Sequence, residues 1–193
     1  LTGGSYPQSS QFHRGIAALD LLRALRSSRL AQRSLSISVQ LPMAVSSDGT
    51  LTVPDIGVYL DHLEREIDML ACHLGTTQRV EQFHLAGGLP GAAELNRLME
   101  HLQRRFNFQP DDGGDHCVDI DLPHSSWATM GMLRQLGFNH VSIGVPDINP
   151  LNGEAQVDFQ SPQRTRSLID AARTLDFYSV NIDLGYGRAW QTT

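Results

Sequence analysis

Short β-rich segments alternate along this chain with longer segments in which apolar residues recur every three or four positions. The β-rich segments predict five strands: SLSISVQLP (34–42), RVEQFHLA (79–86), HCVDIDL (116–122), NHVSIGV (139–145) and YSVNIDLGYG (178–187). The helical periods predict four helices after the first strand: 54–74, 92–106, 125–138 and 163–177. Pro54 and Asp55 suit a helix start, and Gly137 suits a helix C-cap.

The helical spacing also predicts which side chains face the core. These are Leu60, Leu63, Ile67, Leu70 and Leu74 in the first of the four helices, Leu95, Leu98, Leu102 and Phe106 in the second, and Trp127, Met130 and Leu133 in the third. Strands that alternate with helices through short connections indicate parallel pairing by right-handed crossovers, and hence an α/β fold. The pattern fits an open doubly wound sheet or part of a barrel equally well. In both, the functional surface lies beyond the C-terminal ends of the strands.

Charge and composition exclude several classes of function. The chain has 193 residues and a net charge of −6, with no basic cluster that could hold a polyanionic backbone, so nucleic acid is not an expected partner. No apolar run approaches the length of a membrane span, and the N-terminus has no signal-peptide pattern, so we expect a cytoplasmic protein that does not bind membranes. All 15 basic residues are arginine, which excludes lysine-based Schiff-base chemistry and a Walker phosphate loop. Because the chain does not begin with methionine, it reads as an excerpt from a longer one.

The residues at the predicted strand ends are the candidates for a binding site. Gly87 and Gly88 end the second strand, where a glycine pair lets a ligand approach the backbone or simply makes a tight turn. Asp119 and Asp121 lie two apart in the third strand and therefore point to the same face. Such a pair could bind a ribose diol or a cation, or act as an acid and base, although one of them could instead cap the next helix. Asp183 has the same place in the fifth strand.

A metal site is not expected from the spacing of the cysteines and histidines. Cys72, His73, His116 and Cys117 are the ligand types that zinc prefers. However, the first pair lies near the end of a helix, and the second pair is adjacent in a strand, where neighbours point to opposite faces. We therefore predict no metal ligands. There is also no G-x-S-x-G motif to support a hydrolase.

Several segments, taken in order, resemble the oxygen-independent coproporphyrinogen III oxidase family of the radical S-adenosylmethionine superfamily. They are GGSYPQSSQF (3–12), SLSISVQLP (34–42), HLAGGLPGAAELNRLM (84–99), LRQLGFNHVSIGVPDIN (133–149) and VNIDLGYG (180–187). The resemblance implies a partial TIM-like (β/α) barrel of about five parallel β-α units, here residues 34–193, preceded by an N-terminal extension and helix over residues 1–33. It also implies an S-adenosylmethionine site along the strand ends and a role in porphyrin biosynthesis.

The same resemblance shows which family groups are changed here. Family members carry Cys-x-x-x-Cys-x-x-Cys after the first strand to hold a four-iron four-sulfur cluster, whereas PMAVSSDGTLTV (42–53) contains no cysteine. We therefore expect no cluster and no radical chemistry. The family's triple-glycine turn becomes LAGGLP, with Ala86 and Leu89 as the replacements; its strand-three glutamate becomes Asp119. Its fourth-strand glutamine becomes Pro146, and an arginine farther on becomes Asp158. The expected ligand-binding residues are Gly87, Gly88, Asp119 and Asp183.

Three functions remain open at this point. The first is a pseudoenzyme of this family that binds a nucleoside, S-adenosylmethionine or a tetrapyrrole. The second is a divergent copy or excerpt whose activity depends on a partner. The third is an unrelated α/β enzyme that uses Asp119, Asp121 and Asp183 in metal-assisted chemistry. The resemblance also implies an uncovered edge on strand five, which a C-terminal domain or another protein would cover.

Overall fold

The protein is described by a computed structural model that covers residues 15, 17–42, 45–46, 51–52, 55–109, 113–121, 125–145 and 162–184. The helices are α1 (Ala18–Leu30), α2 (Ile56–Leu74), α3 (Ala92–Arg105), α4 (Trp127–Gln135) and α5 (Pro162–Thr174). The long strands are β1 (Leu35–Leu41), β4 (Arg79–Gly87), β6 (Asp115–Asp121), β7 (His140–Val145) and β8 (Ser179–Leu184). The described residues also include three two-residue strands: β2 (Val45–Ser46), β3 (Leu51–Thr52) and β5 (Asn107–Phe108).

The five long strands form one parallel sheet in the order β1-β4-β6-β7-β8. This order follows the chain without the reversal that marks a doubly wound sheet. β5 pairs with the start of β4, while β2 and β3 form a separate antiparallel pair. The predicted α/β fold with five parallel β-α units is therefore confirmed, and the sequential order is the one that barrel folds use. The assignment of this sheet to a partial TIM-like barrel, and the division into residues 1–33 and 34–193, stay predictions.

The helices pack on one face of the sheet. Alternate strand residues, including Val39, Phe83, Val118, Ile120 and Ile143, join one buried cluster with apolar side chains of α2, α3, α4 and α5. We call this side of the sheet the apolar face. The opposite side of every long strand carries mainly polar residues, because successive strand side chains point in opposite directions. Helices on a single face of a parallel sheet fit β-α units of the barrel type better than a doubly wound fold.

The helix boundaries follow local capping signals. The Asp55 carboxylate accepts hydrogen bonds from the backbone N–H groups of Gly57 and Val58, as the predicted start of α2 requires. Ser126 caps α4 through the N–H of Thr129. Gly137 has φ +96° and follows the C-cap of the same helix, where the left-handed conformation favours glycine. These signals set the point at which the chain enters each helix.

Two of the predicted inward-facing side chains are not buried. Leu70 is 37% exposed and Trp127 is 47% exposed, so these two predictions are wrong. Trp127 is the first residue of α4, where no preceding turn of the helix covers it, and its indole Nε1 donates to Ser167 Oγ on α5 at 2.9 Å. The other predicted side chains are buried or partly buried against the core.

A buried asparagine links the starts of three strands. Asn139 is fully buried just before β7; its Oδ1 accepts from the His116 N–H at 2.8 Å, and its Nδ2 donates to the Gly114 carbonyl at 2.8 Å. The backbone carbonyl of Asn139 accepts from the N–H of Tyr178 at 2.7 Å. Asn139 therefore holds β6, β7 and the entry to β8 in register at the end opposite the candidate site.

No helix among the described residues is long and apolar enough to cross a membrane.

Candidate functional site

The candidate site residues share the side of the sheet that the helices leave uncovered. Strand register places Cys117 beside both His84 and His140, Asp119 beside Ser142, and Gly144 between Asp121 and Asp183. Residues paired in this way point to the same side of a sheet. We call this side the polar face, defined by His84, Cys117, Asp119, Asp121, His140, Ser142, Gly144, Ser179, Asn181 and Asp183.

Asp119 lies near the C-terminal end of β6 and is held by a neighbouring strand. Its Oδ1 is 2.9 Å from Nε2 of His84 on β4, and the two side chains are 40% and 45% exposed. A carboxylate that is held in place by a hydrogen bond to one oxygen is suited to accept hydrogen bonds from a ligand diol or to bind a cation. The prediction that Asp119 and Asp121 share a face is confirmed by the strand's alternation, in which His116, Val118 and Ile120 are buried instead.

Asp121 does not cap the helix that follows it. Ser126 occupies that position, and the contact between Asp121 and the α4 approach is a hydrogen bond from Ser125 Oγ to the Asp121 backbone carbonyl, at 2.8 Å. The Asp121 side chain is exposed at the end of β6. Among the described residues, the N-cap of α4 is therefore Ser126 and not Asp121.

Asp183 is held from β7 in a similar way to Asp119. Ser142 Oγ donates to Asp183 Oδ2 at 2.6 Å, and Ser142 is itself 7% exposed. Gly144 separates Asp183 from Asp121 at the same level of the sheet, and it leaves room there: a Cβ on Gly144 would meet only the Ile120 carbonyl oxygen, at 3.8 Å. The three aspartates thus line the C-terminal ends of β6 and β8 with an open position between them.

The three aspartates do not converge on a single point. Among the described residues, their carboxylates do not form a group within reach of one metal ion. The strand β7 lies between β6 and β8, and strands that are two apart in a sheet are separated by about 9–10 Å. This arrangement suits an extended ligand that contacts several carboxylates better than one ion shared by all three.

The glycine pair at the end of β4 has a structural requirement at its first position. Gly87 has φ +98°, and a Cβ at this residue would lie 2.1 Å from the backbone carbonyl oxygen of Leu41 on β1. Only glycine can therefore bring β4 this close to β1. Gly88 follows directly in the bend, half-buried beside Leu89. At Gly88, the structure is compatible both with ligand approach to the backbone and with a simple tight turn. At Gly87, the close packing of β4 against β1 explains the glycine.

Cys117 was considered in the sequence only together with Cys72, His73 and His116, whereas the structure places it beside His84. Its Sγ, Nε2 or Nδ1 of His84 and a carboxylate oxygen of Asp119 all lie within 4.8 Å of one another. Burial raises the pKa of the Cys117 thiol to about 11, and the negative charges of Asp119 and Asp183 act in the same direction. In the absence of a cation, this thiol is protonated at neutral pH. The sequence offered one signal for this cluster, namely the polar residues that alternate along β4 and β6. The pairing register that brings them together cannot be read from the sequence.

Of the other positions that the family resemblance pointed to, some lie in the part of the chain that the structure describes and some lie outside it. Ala86 and Leu89 flank the glycine pair as expected, and both are half-buried. Pro146 and Asp158 lie outside the described residues, as does most of the segment 43–54. Cys72 is exposed on α2, on the other side of the sheet from Cys117. The two cysteines are therefore far too separated in the fold to share one centre.

Comparison with known proteins gives consistent matches along nearly the whole chain. No sequence-family model matches it. Oxygen-independent coproporphyrinogen III oxidase of Pseudomonas aeruginosa is 40% identical over 203 residues, an alignment that covers 97% of this chain and 43% of that protein. The protein of the same name from Escherichia coli is 31% identical over 199 residues, and the alignment covers 42% of that protein. The chain thus spans about two fifths of the length of these relatives.

A solved structure has the same fold over the same region. It is coproporphyrinogen III oxidase (HemN) from Escherichia coli, described as a radical SAM enzyme, and it superimposes with a TM-score of 0.83 at 29% identity. The superposition covers 99% of this chain and 45% of that one. The described arrangement of strands and helices is therefore one that a solved protein also adopts.

Proposed function

Because this chain belongs to the oxygen-independent coproporphyrinogen III oxidase family over the segment that it spans, we propose that its polar face binds the nucleoside part of S-adenosylmethionine without cleaving it. The relatives' name connects the family to haem biosynthesis, and we extend that connection to this chain. The observation that carries the proposal is the placement of two hydrogen-bonded carboxylates, Asp119 and Asp183, at the C-terminal ends of parallel strands. In this role the chain is a ligand-binding pseudoenzyme.

The described carboxylates fit a neutral or cationic ligand. A ribose diol offers two O–H donors, which an ionised aspartate accepts, and the sulfonium of S-adenosylmethionine is a cation. Among the described residues, no arginine forms an ion pair with Asp119 or Asp183, so their charges are available to a ligand. Coproporphyrinogen carries several carboxylates of its own, and an acidic face would repel it. The geometry therefore favours a nucleoside over a tetrapyrrole.

The residues present do not fit an iron-sulfur cluster of the family's type. Such a cluster needs three thiolates close together. The sequence contains two cysteines: Cys72 is exposed on α2, and Cys117 lies on the polar face. Without a bound cluster there is no electron donor for cleavage of the sulfonium, which is why binding without cleavage is the proposed activity.

The first test compares two acid-to-amide variants of β6. We expect Asp119→Asn to weaken S-adenosylmethionine binding by about tenfold or more in isothermal titration calorimetry, because a charge-assisted hydrogen bond contributes about 1.5–3 kcal/mol. Asp115→Asn is the matched control: it removes the same charge from the same face of the same strand, at the opposite end, and its side chain is 70% exposed. Asp115→Asn should leave the affinity within about twofold.

Two outcomes would contradict the proposal. One is the absence of binding heat with both S-adenosylmethionine and adenosine, and the other is equal loss of affinity in Asp119→Asn and Asp115→Asn. The claim that no cleavage occurs has its own measurement, which is iron and sulfide analysis after anaerobic cluster reconstitution. We expect far less than one cluster per chain, and loading near four irons per chain would refute it.

A second prediction uses the open position at Gly144. Gly144→Val should abolish nucleoside binding, because its side chain would project between Asp121 and Asp183 on the polar face. The substitution should change the free energy of unfolding by no more than about 1 kcal/mol, since valine suits a strand and the nearest atom lies at ordinary contact distance. Calorimetry and urea denaturation of the same sample measure both quantities. Retention of full affinity would show that the ligand does not occupy this position.

A further inference from the structure

Three different metal-binding side chains converge on the polar face, at the middle of the sheet. His84 is on β4, Cys117 and Asp119 are on β6, and register pairs His84 directly with Cys117. One donor atom from each residue lies within 4.8 Å of the other two. We propose that His84, Cys117 and Asp119 form a binding site for a thiophilic divalent metal ion of the zinc type.

The donor set selects the class of metal. Imidazole nitrogen and thiolate sulfur are preferred by zinc and similar transition metals, whereas magnesium and calcium prefer oxygen alone. A tetrahedral zinc ion with bonds of about 2.0–2.3 Å places its donor atoms about 3.3–3.8 Å apart. The observed atoms are close to that spacing: His84 Nε2 and Asp119 Oδ1 are 2.9 Å apart, and Cys117 Sγ is within 4.8 Å of both. Small side-chain rotations, without backbone movement, complete the geometry.

The backbone positions of the three ligands are fixed by the sheet. β4 and β6 are inner strands, each paired on both sides, and a single residue of β6 separates Cys117 from Asp119. Ligands on rigid strands lose little entropy when a metal binds. The side chains of His84 and Asp119 are 45% and 40% exposed, so an ion can reach them from the polar face. Three protein ligands leave the fourth position to water or to a ligand, as in catalytic zinc sites.

The electrostatic surroundings also favour a cation. Asp183 on β8 adds a second carboxylate to the same face of the sheet, two strands away from Asp119. The chain has no lysine that could neutralise these acids. A divalent ion would offset the carboxylate charges and would bind Cys117 as the thiolate.

This site is separate from the proposed nucleoside function, although both use Asp119. The nucleoside proposal rests on the carboxylates of Asp119 and Asp183, whereas the metal proposal depends on the thiol of Cys117. Metal binding is therefore measured on the chain without S-adenosylmethionine, and nucleoside binding is measured by calorimetry on the metal-free chain. The two proposals can thus fail independently.

The experiment uses Co²⁺ as a spectroscopic probe of the chelator-treated full chain. We expect one Co²⁺ per chain, a thiolate-to-cobalt charge-transfer absorption in the near ultraviolet, and displacement of Co²⁺ by Zn²⁺. Cys117→Ser should abolish the charge-transfer absorption, and both Cys117→Ser and His84→Gln should weaken Co²⁺ binding by at least about tenfold. Cys72→Ser is the matched control, because it removes the exposed thiol beside His73 on α2 and should behave as the unsubstituted chain.

A measurement on the unsubstituted chain tests the proposal even if the variants fail to fold. Zn²⁺ should protect Cys117 from alkylation, read residue by residue by mass spectrometry, and should leave Cys72 reactive. The proposal is overturned if the Co²⁺ complex shows no thiolate absorption, if Cys72→Ser rather than Cys117→Ser removes that absorption, or if Zn²⁺ fails to protect Cys117 under conditions in which Co²⁺ or Zn²⁺ is shown to bind.

Discussion

Replacing Gly87 with alanine should lower the free energy of unfolding by about 3 kcal/mol. This is a large effect for the addition of one methyl group. Two costs combine at this residue. Its φ of +98° is a backbone conformation that L side chains rarely adopt, and the added Cβ would lie 2.1 Å from the Leu41 carbonyl oxygen. The obstructing atom belongs to the backbone of β1, so relief requires β1 and β4 to separate where their parallel pairing ends.

Gly131→Ala is the matched control for this prediction. Gly131 is inside α4, and a Cβ there would meet no atom within 4 Å. Since alanine favours a helix over glycine by about 1 kcal/mol, the control should be neutral or stabilising. Urea denaturation followed by circular dichroism measures both variants. Equal stability of Gly87→Ala and the unsubstituted chain would show that β1 and β4 do not approach each other as described.

Asn139→Ala should destabilise the protein by about 2–4 kcal/mol. The substitution leaves the buried N–H of His116 and the carbonyl of Gly114 without their side-chain partner, since both bond to the Asn139 amide at 2.8 Å. Asn139 is fully buried, so water cannot easily replace the amide. The loss is expected to be greatest for β6 and β7, and amide hydrogen exchange should show earlier opening of these strands than of β1.

Asn96→Ala provides the comparison at an exposed asparagine. The Asn96 side chain lies on the surface of α3 and donates to the Ala92 carbonyl of the same helix at 2.7 Å. Water can replace that bond, and alanine is the better helix former, so we expect a change within about 0.5 kcal/mol. If Asn139→Ala costs no more than Asn96→Ala, the buried amide does not hold the strands together as inferred.

Much of the fold could be predicted from the sequence because the decisive signals are local. The start of α2 at Asp55 depends on two hydrogen bonds to the next three residues, and the shared face of Asp119 and Asp121 depends only on strand alternation. Trp127 was misplaced because helical spacing does not tell whether a residue at a helix end has a neighbour to cover it. Its hydrogen bond to Ser167 joins residues of two different helices that are 40 positions apart in sequence.

The candidate site was harder to predict because it depends on register. The spacing of Cys117 from His116 or Cys72 argued against metal binding, and that argument was sound for those pairs. The neighbour that matters is His84, 33 positions earlier, which parallel pairing places directly beside Cys117. Likewise, Gly87 could be recognised as a turn residue, but the approach of Leu41 that requires it is a contact between two strands. Long-range register is the information that a single sequence lacks.

The two sides of this sheet can be altered independently. Cys117, Ser142 and Gly144 are each flanked in their strand by buried residues, so their side chains can be exchanged while the packed core stays in place. For protein engineering, Cys117, Ser142 and Gly144 are thus three nearby positions on rigid strands at which the side chain can be varied. A library restricted to these three positions would sample new ligand chemistry while nearly every member retains the parent's core and its stability.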